Sequence, residues 1–99
     1  MARWQMVVVG GGGDRLVYMY STDLTTLQWL VSQVQERDPQ AKTKETHKDA
    51  DGHVYDVSLE LSRGRDAVAM QQVLKRLLCD QGWEPFATYG YYKRQIQPQ

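Results

Sequence analysis

The chain carries one cysteine and two histidines among 99 residues. A single thiol excludes an internal disulfide and any zinc site built on several cysteines. An excess of one charge sign is also missing. Twelve Lys and Arg balance twelve Asp and Glu, for a formal net charge of zero. The global field that draws proteins to nucleic acid or to anionic lipid is therefore absent. Long apolar runs are absent as well: Met6 to Val9 spans four residues, against the ~18 that cross a membrane. Glycines 10–13 and Asp14 interrupt the N-terminal segment before a signal-peptide core could form. These absences lead to the expectation of a soluble, cytoplasmic domain that does not enter a membrane. What is present suits one domain over 1–99, with 95–99 a flexible tail. Hydrophobic residues make up 41% of the chain, enough for a core, and ten aromatics include three tryptophans.

Hydrophobic periodicity orders the elements. Trp4 to Val9 and Leu16 to Tyr20 read as two strands joined by glycines 10–13. Ser21, Thr22 and Asp23 are cap-forming residues. Leu24, Leu27, Leu30 or Val31, and Val34 then form the stripe of an amphipathic helix that ends at Asp38-Pro39. Ala41 to Lys48, the turn Asp49-Ala50-Asp51-Gly52 and residues 54–61 read as a hairpin. In its second strand Tyr55, Val57, Leu59 and Leu61 share one face, and Val54, Asp56, Ser58 and Glu60 the other. A second helix runs from about Ala67 to Gln81 on Met70, Val73, Leu74, Leu77 and Leu78, and stops at Gly82. Trp83 to Tyr92 reads as the last strand. The order predicts an α+β domain, a ferredoxin-like βαββαβ plait with an extra N-terminal strand. Two helices would then cover one face of an antiparallel sheet. A β-grasp domain is the alternative.

No motif specifies chemistry. A phosphate loop needs a Lys and a helix after the glycines, whereas here a strand follows. His47, Asp49, Asp51 and His53 surround a turn in which Ser58 stands where a calcium loop requires Glu, so no metal is expected. Cys79 sits beside the second helix's buried stripe, far in sequence from either histidine, and reads as a core or boundary residue. No catalytic set and no cofactor site emerge, and the expectation is a non-enzymatic domain.

The aromatics are the positive signal. Two helices satisfy one face of a sheet. Trp4, Tyr18, Tyr20, Tyr89, Tyr91 and Tyr92 would then occupy the other as a protein interface, because rigid amphipathic rings bury large areas at low entropic cost. The partner would be a second copy, giving a homo-oligomer, or another protein. Association would use this face or a sheet edge, with the first strand as the candidate edge. Tyr18, Tyr20 and the Tyr89–Arg94 segment also suggest RNA stacking. Asp56, Ser58 and Glu60 on the central strand oppose phosphate there, so nucleic acid is a subordinate alternative.

Residues 17–78 resemble an ACT-type regulatory domain. The resemblance rests on Tyr20-Ser21-Thr22-Asp23 leading into Leu27 and Leu30, and on Asp51-Gly52-His53-Val54-Tyr55-Asp56-Val57. Leu24-Thr25-Thr26 and Pro39-Gln40-Ala41 stand where the family carries glycine. The resemblance implies a plait that pairs side by side. It also implies an amino-acid-like ligand near the first loop, which would place Ser21, Thr22 and Asp23 at a binding site. The reading as a whole is a regulatory or protein-interaction module, with a small-ligand sensor and an RNA-binding plait as alternatives.

Overall fold

A computed structural model describes residues 3–13, 15–63, 66–86 and 90–96. The strands are β1 (Arg3–Gly10), β2 (Leu16–Ser21), β3 (Lys42–Lys48), β4 (Val54–Glu60), β5 (Glu84–Pro85) and β6 (Tyr91–Ile96). Helix α1 (Leu24–Arg37) joins β2 to β3, and α2 (Asp66–Asp80) joins β4 to β5. The six strands form one sheet in the order β3-β4-β2-β1-β6-β5. Every pairing among the described residues is antiparallel. The α+β class and antiparallel sheet are as expected. The strand order is unusual for a ferredoxin-like plait, because β1 and β6 lie between β2 and β5.

Helix α1 begins where Asp23, in an extended conformation, accepts the Thr26 N–H at 3.1 Å and the Thr26 hydroxyl at 2.6 Å. This satisfies a donor that a helix start otherwise leaves unpaired. At the other end Asp38 accepts the Ser62 N–H and hydroxyl, each at 2.8 Å. One carboxylate thus ties the end of α1 to the segment just after β4, and the Ser62 N–H bond, with a smaller contribution from its hydroxyl, holds Asp38 below the usual carboxylate range. Helix α2 stops at Gly82, whose φ of +88° suits glycine. Both helices bury their apolar stripes against the same sheet face. Leu27, Leu30 and Val34 of α1 and Ala67, Met70, Leu74 and Leu78 of α2 meet Val7, Val9, Val17, Met19, Val57 and Leu59.

Four expectations need correction. The first strand is not an edge: β1 pairs with β2 on one side and β6 on the other. Its run from Met6 to Val9 is apolar toward both faces: Val7 and Val9 lie in the core, and Val8 sits between Tyr20 and Tyr91 on the other face. The last strand is not continuous either. It splits into β5 and β6, and Gln95 belongs to β6 rather than to a tail, while residues 97–99 lie outside the described residues. Gly90 makes the hairpin return possible. Its φ is +93°, and a Cβ there would strike the Val9 carbonyl oxygen, the backbone to which Gly90 itself is bonded by its own carbonyl accepting Val9 N–H at 2.9 Å.

The third correction concerns β4. His47 pairs with Asp56 and Lys48 with Val54, which leaves Tyr55 as an extra residue. This bulge reverses the alternation. Val54 packs toward the core and Tyr55 crosses to the opposite face. The fourth correction is Tyr92, which is buried in the core at 6% exposure. Adjacent strand residues point to opposite faces, so Tyr91 and Tyr92 cannot share one surface. Tyr92→Ser is expected to lower the unfolding free energy by about 3 kcal/mol through loss of a buried ring. Tyr91→Ser should cost no more than about 1 kcal/mol. Urea denaturation of the two variants checks the difference.

Candidate functional site on the open sheet face

The face without helices holds a row of side chains across five strands. Register places His47 beside Asp56, Asp56 beside Tyr20, Tyr20 beside Val8 and Val8 beside Tyr91. Tyr18 lies one pleat away on β2, opposite Ser58 and Gly10. Trp4 and Met6 continue the face along β1, with Met6 opposite Lys93. Of the six predicted interface residues, the structure therefore brings Trp4, Tyr18, Tyr20 and Tyr91 together. Tyr92 faces the other way, and Tyr89 lies outside the described residues.

One end of the row is a polar cluster enclosed by rings. The Tyr18 hydroxyl donates to Asp56 Oδ2 at 3.1 Å, and His47 Nδ1 lies 2.7 Å from Asp56 Oδ1. His47 Nε2 lies 3.1 Å from Glu45 Oε1. The bulged Tyr55 packs edge-on against Tyr20 and stacks on the His47 ring, both at 6.2 Å between centroids. These rings leave Asp56 only 6% exposed on an otherwise solvent-facing surface. A buried carboxylate requires such partners, since an unpaired one is strongly penalised. Burial, then the bond to Asp56, pushes the Tyr18 phenol up to about 12, so it remains a donor. The bond to Asp56, then the Asp56 charge, raises His47 above its ordinary value.

The other end is aromatic and cationic. Lys93 Nζ lies 4.7 Å from the Trp4 ring centroid and 5.6 Å from that of Phe86. Phe86 meets Tyr91 edge-on. Trp4 is 52% exposed, the largest aromatic surface this face presents to water.

The residues expected at a ligand site have other partners. Ser21 Oγ accepts the Asp23 N–H at 3.0 Å, and Thr22 Oγ1 accepts the Met6 N–H at 2.9 Å. With Asp23 capping α1, all three residues fasten the helix to β1 and β2. A shallow cavity of about 270 Å³ adjoins Asp23, where Arg94 lies over the Trp83 ring at 4.5 Å. Asp49, Asp51 and His53 bring three ligand atoms within 4.8 Å of one another, all exposed. Asp49 Oδ1 already accepts the N–H groups of Asp51 and His53, which closes the turn and keeps Asp49 acidic. His47, grouped with these residues in the sequence, is separated from them by its contact with Asp56. Cys79 is exposed rather than part of the core.

The glycine run closes the β1–β2 hairpin, as expected. The sequence missed the site roles of His47, Tyr55 and Phe86, and placed Lys93 only within a segment suggesting RNA stacking. Aligning the 42–48 and 54–60 strands would have set His47 opposite Asp56, but no single-strand pattern announces the Tyr55 bulge. Among the described residues no helix is long and apolar enough to cross a membrane. Comparison with protein-family models, with curated proteins and with solved structures finds no match.

A raised histidine pKa has a definite stability signature. Its contribution is complete below the unfolded value of 6.5 and is lost as pH rises through the higher folded value. Folding stability should therefore decline as pH rises above the unfolded value of 6.5 in the wild type. The decline should be much smaller in His47→Gln, and urea denaturation at several pH values checks it. A second expectation concerns the phenol: Tyr18→Phe should cost about 1 kcal/mol by removing a donor from a buried carboxylate.

Proposed function

We propose that this chain is a non-catalytic contact module that pairs with a second copy of itself through the open sheet face. The observation that carries this reading is the cross-sheet row of Tyr20, Val8 and Tyr91 with Trp4, Tyr55 and Phe86 around it. Rigid rings at a partly exposed surface are the composition of interface centres. The charges favour an identical partner. The chain has no net charge to repel its copy. On the face, Lys44 meets Glu60 at 3.2 Å and His47 meets Asp56 and Glu45. A surface with its charges largely matched internally selects neither a strongly acidic nor a strongly basic partner.

Both sheet edges argue against pairing by strand addition. β3 is exposed throughout, carries Lys42, Lys44 and Lys48, and has an extra residue at Lys44. β5 is two residues long and includes Pro85. Lysine, bulges, shortness and proline are devices that block edge association. The side-by-side pairing implied by the ACT-type resemblance is thus the less favoured geometry. We read the fold itself as an elaborated ferredoxin-like plait, whose β3-β4-β2 portion follows the plait order and whose β1 is inserted beside β2. A single exposed thiol suits a reducing cytoplasm.

Size-exclusion chromatography with light scattering over a concentration series tests the pairing. A dimer is expected. Trp4→Ser should weaken it by about thirtyfold, the effect of losing an aromatic anchor worth about 2 kcal/mol, while leaving the urea midpoint nearly unchanged. A chain that stays monomeric at every concentration, or a dimer indifferent to Trp4→Ser and Tyr91→Ser, would reject the face.

A small-ligand sensor is the second reading, favoured by Arg94 in the cavity beside Asp23. A guanidinium there would receive a carboxylate and the Asp23 carboxylate an ammonium. Titration calorimetry with a panel of L-amino acids should then give heat that Arg94→Gln abolishes.

A further inference from the structure

We infer that His47 makes this self-association pH-dependent: the paired state holds an imidazolium between Glu45 and Asp56, and the pair loosens when that ring becomes neutral. The inference rests on the self-association reading and adds its regulation.

The argument is geometric. Both ring nitrogens face carboxylate oxygens, Nδ1 at 2.7 Å from Asp56 and Nε2 at 3.1 Å from Glu45. Carboxylate oxygens only accept, and a neutral imidazole has one N–H and one lone pair. Only the doubly protonated ring donates to both partners. Loss of one proton leaves a lone pair facing a carboxylate. The groups around the ring are Glu45 and the strand neighbours Lys44 and Thr46 on β3, and Asp56 and Tyr55 on β4. Tyr18 and Tyr20 on β2 lie beyond Asp56. Lys44 is engaged with Glu60, and Tyr18 donates to Asp56. Among the described residues no other cation forms an ion pair with either carboxylate that flanks the ring.

The ring is part of the proposed contact surface. It stacks on Tyr55, which meets Tyr20 in the aromatic row, and its side chain is 49% exposed. Covering this end of the face with a partner removes water from Glu45 and from the ring. With the imidazolium in place, one cation offsets part of the charge of two carboxylates. With the neutral ring, two carboxylates are desolvated without a counter-charge, which is the costly case. Pairing should accordingly take up protons near neutrality, and the dissociation constant should rise with pH.

Light scattering or sedimentation from about pH 6 to pH 9 measures this. The wild-type dissociation constant should rise by up to about tenfold per pH unit for each ionising histidine. His47→Gln should flatten the dependence, and His53→Gln should leave it in place. Glu45→Gln is at an exposed position that does not threaten folding. It should move the transition to lower pH, because one of the two negative charges holding the second proton is gone. A dimer whose affinity is flat across this range, or one whose pH dependence survives in His47→Gln or is not shifted in Glu45→Gln, overturns the inference and leaves the self-association reading standing. A chain monomeric at every pH removes both.

Discussion

Hydrogen bonding of β1 along both of its sides is the constraint from which the rest of the sheet follows. Its side chains divide between the two faces of the sheet: Val7 and Val9 go to the helices, while Met6 and Val8 go to the open face. The first pair gives the two helices a common floor. The second supplies the centre of an aromatic surface, since Val8 lies between Tyr20 and Tyr91 in register. Core and open face are thus two sides of the same four residues. The glycines at the strand's ends serve the same geometry. Gly10 leaves space beside Tyr18, and Gly90 lets the returning chain approach Val9 closely.

The elements built on strong local periodicity were legible in the sequence. Both helices, the two hairpins and the antiparallel α+β character follow from spacing, capping residues and turn chemistry. What local pattern does not encode is which strands become neighbours. The apolar run at Met6–Val9 suits an edge that seeks a partner or a strand that already has two, and only tertiary pairing separates these. The same limit applied to the site. Trp4, Tyr18, Tyr20 and Tyr91 were identified by residue type, and their common side follows from register. Tyr92 could have been excluded by alternation alone. Tyr55 could not have been placed correctly, because one unpaired residue at the bulge inverts its side without any mark in the strand's composition.

The polar end of the open face shows how a carboxylate is kept on a surface yet out of water. Asp56 is covered not by the protein interior but by rings from two strands and a histidine from a third. Each partner occupies a different direction: the Tyr18 phenol at one oxygen, the His47 imidazole at the other, and Tyr20 alongside in the strand register. Such a network fixes ring orientations that would otherwise be free to rotate, so the aromatic row presents one shape. Rigidity of this kind lowers the ordering cost of any association that uses the face. The neutral net charge and the blocked edges act in the same direction, since they leave the flat surface as the part of the sheet open to association.

The pairing of Arg3 with Ile96 and of Val8 with Tyr91 joins the two ends of the sequence in the middle of the sheet. Of the six strands β1 is made before the others, and a short glycine-rich loop separates it from its partner β2. Its other flank stays open until more than eighty residues later in the sequence, when β6 is made. Throughout that interval an apolar strand with a free backbone row is exposed, the situation in which non-local sheets fold slowly and are vulnerable to misassembly. The protection that Lys42, Lys44, Lys48 and Pro85 give the finished edges does not extend to this temporary one. The interval before β6 closes the centre is thus the step at which this topology is open to misassembly.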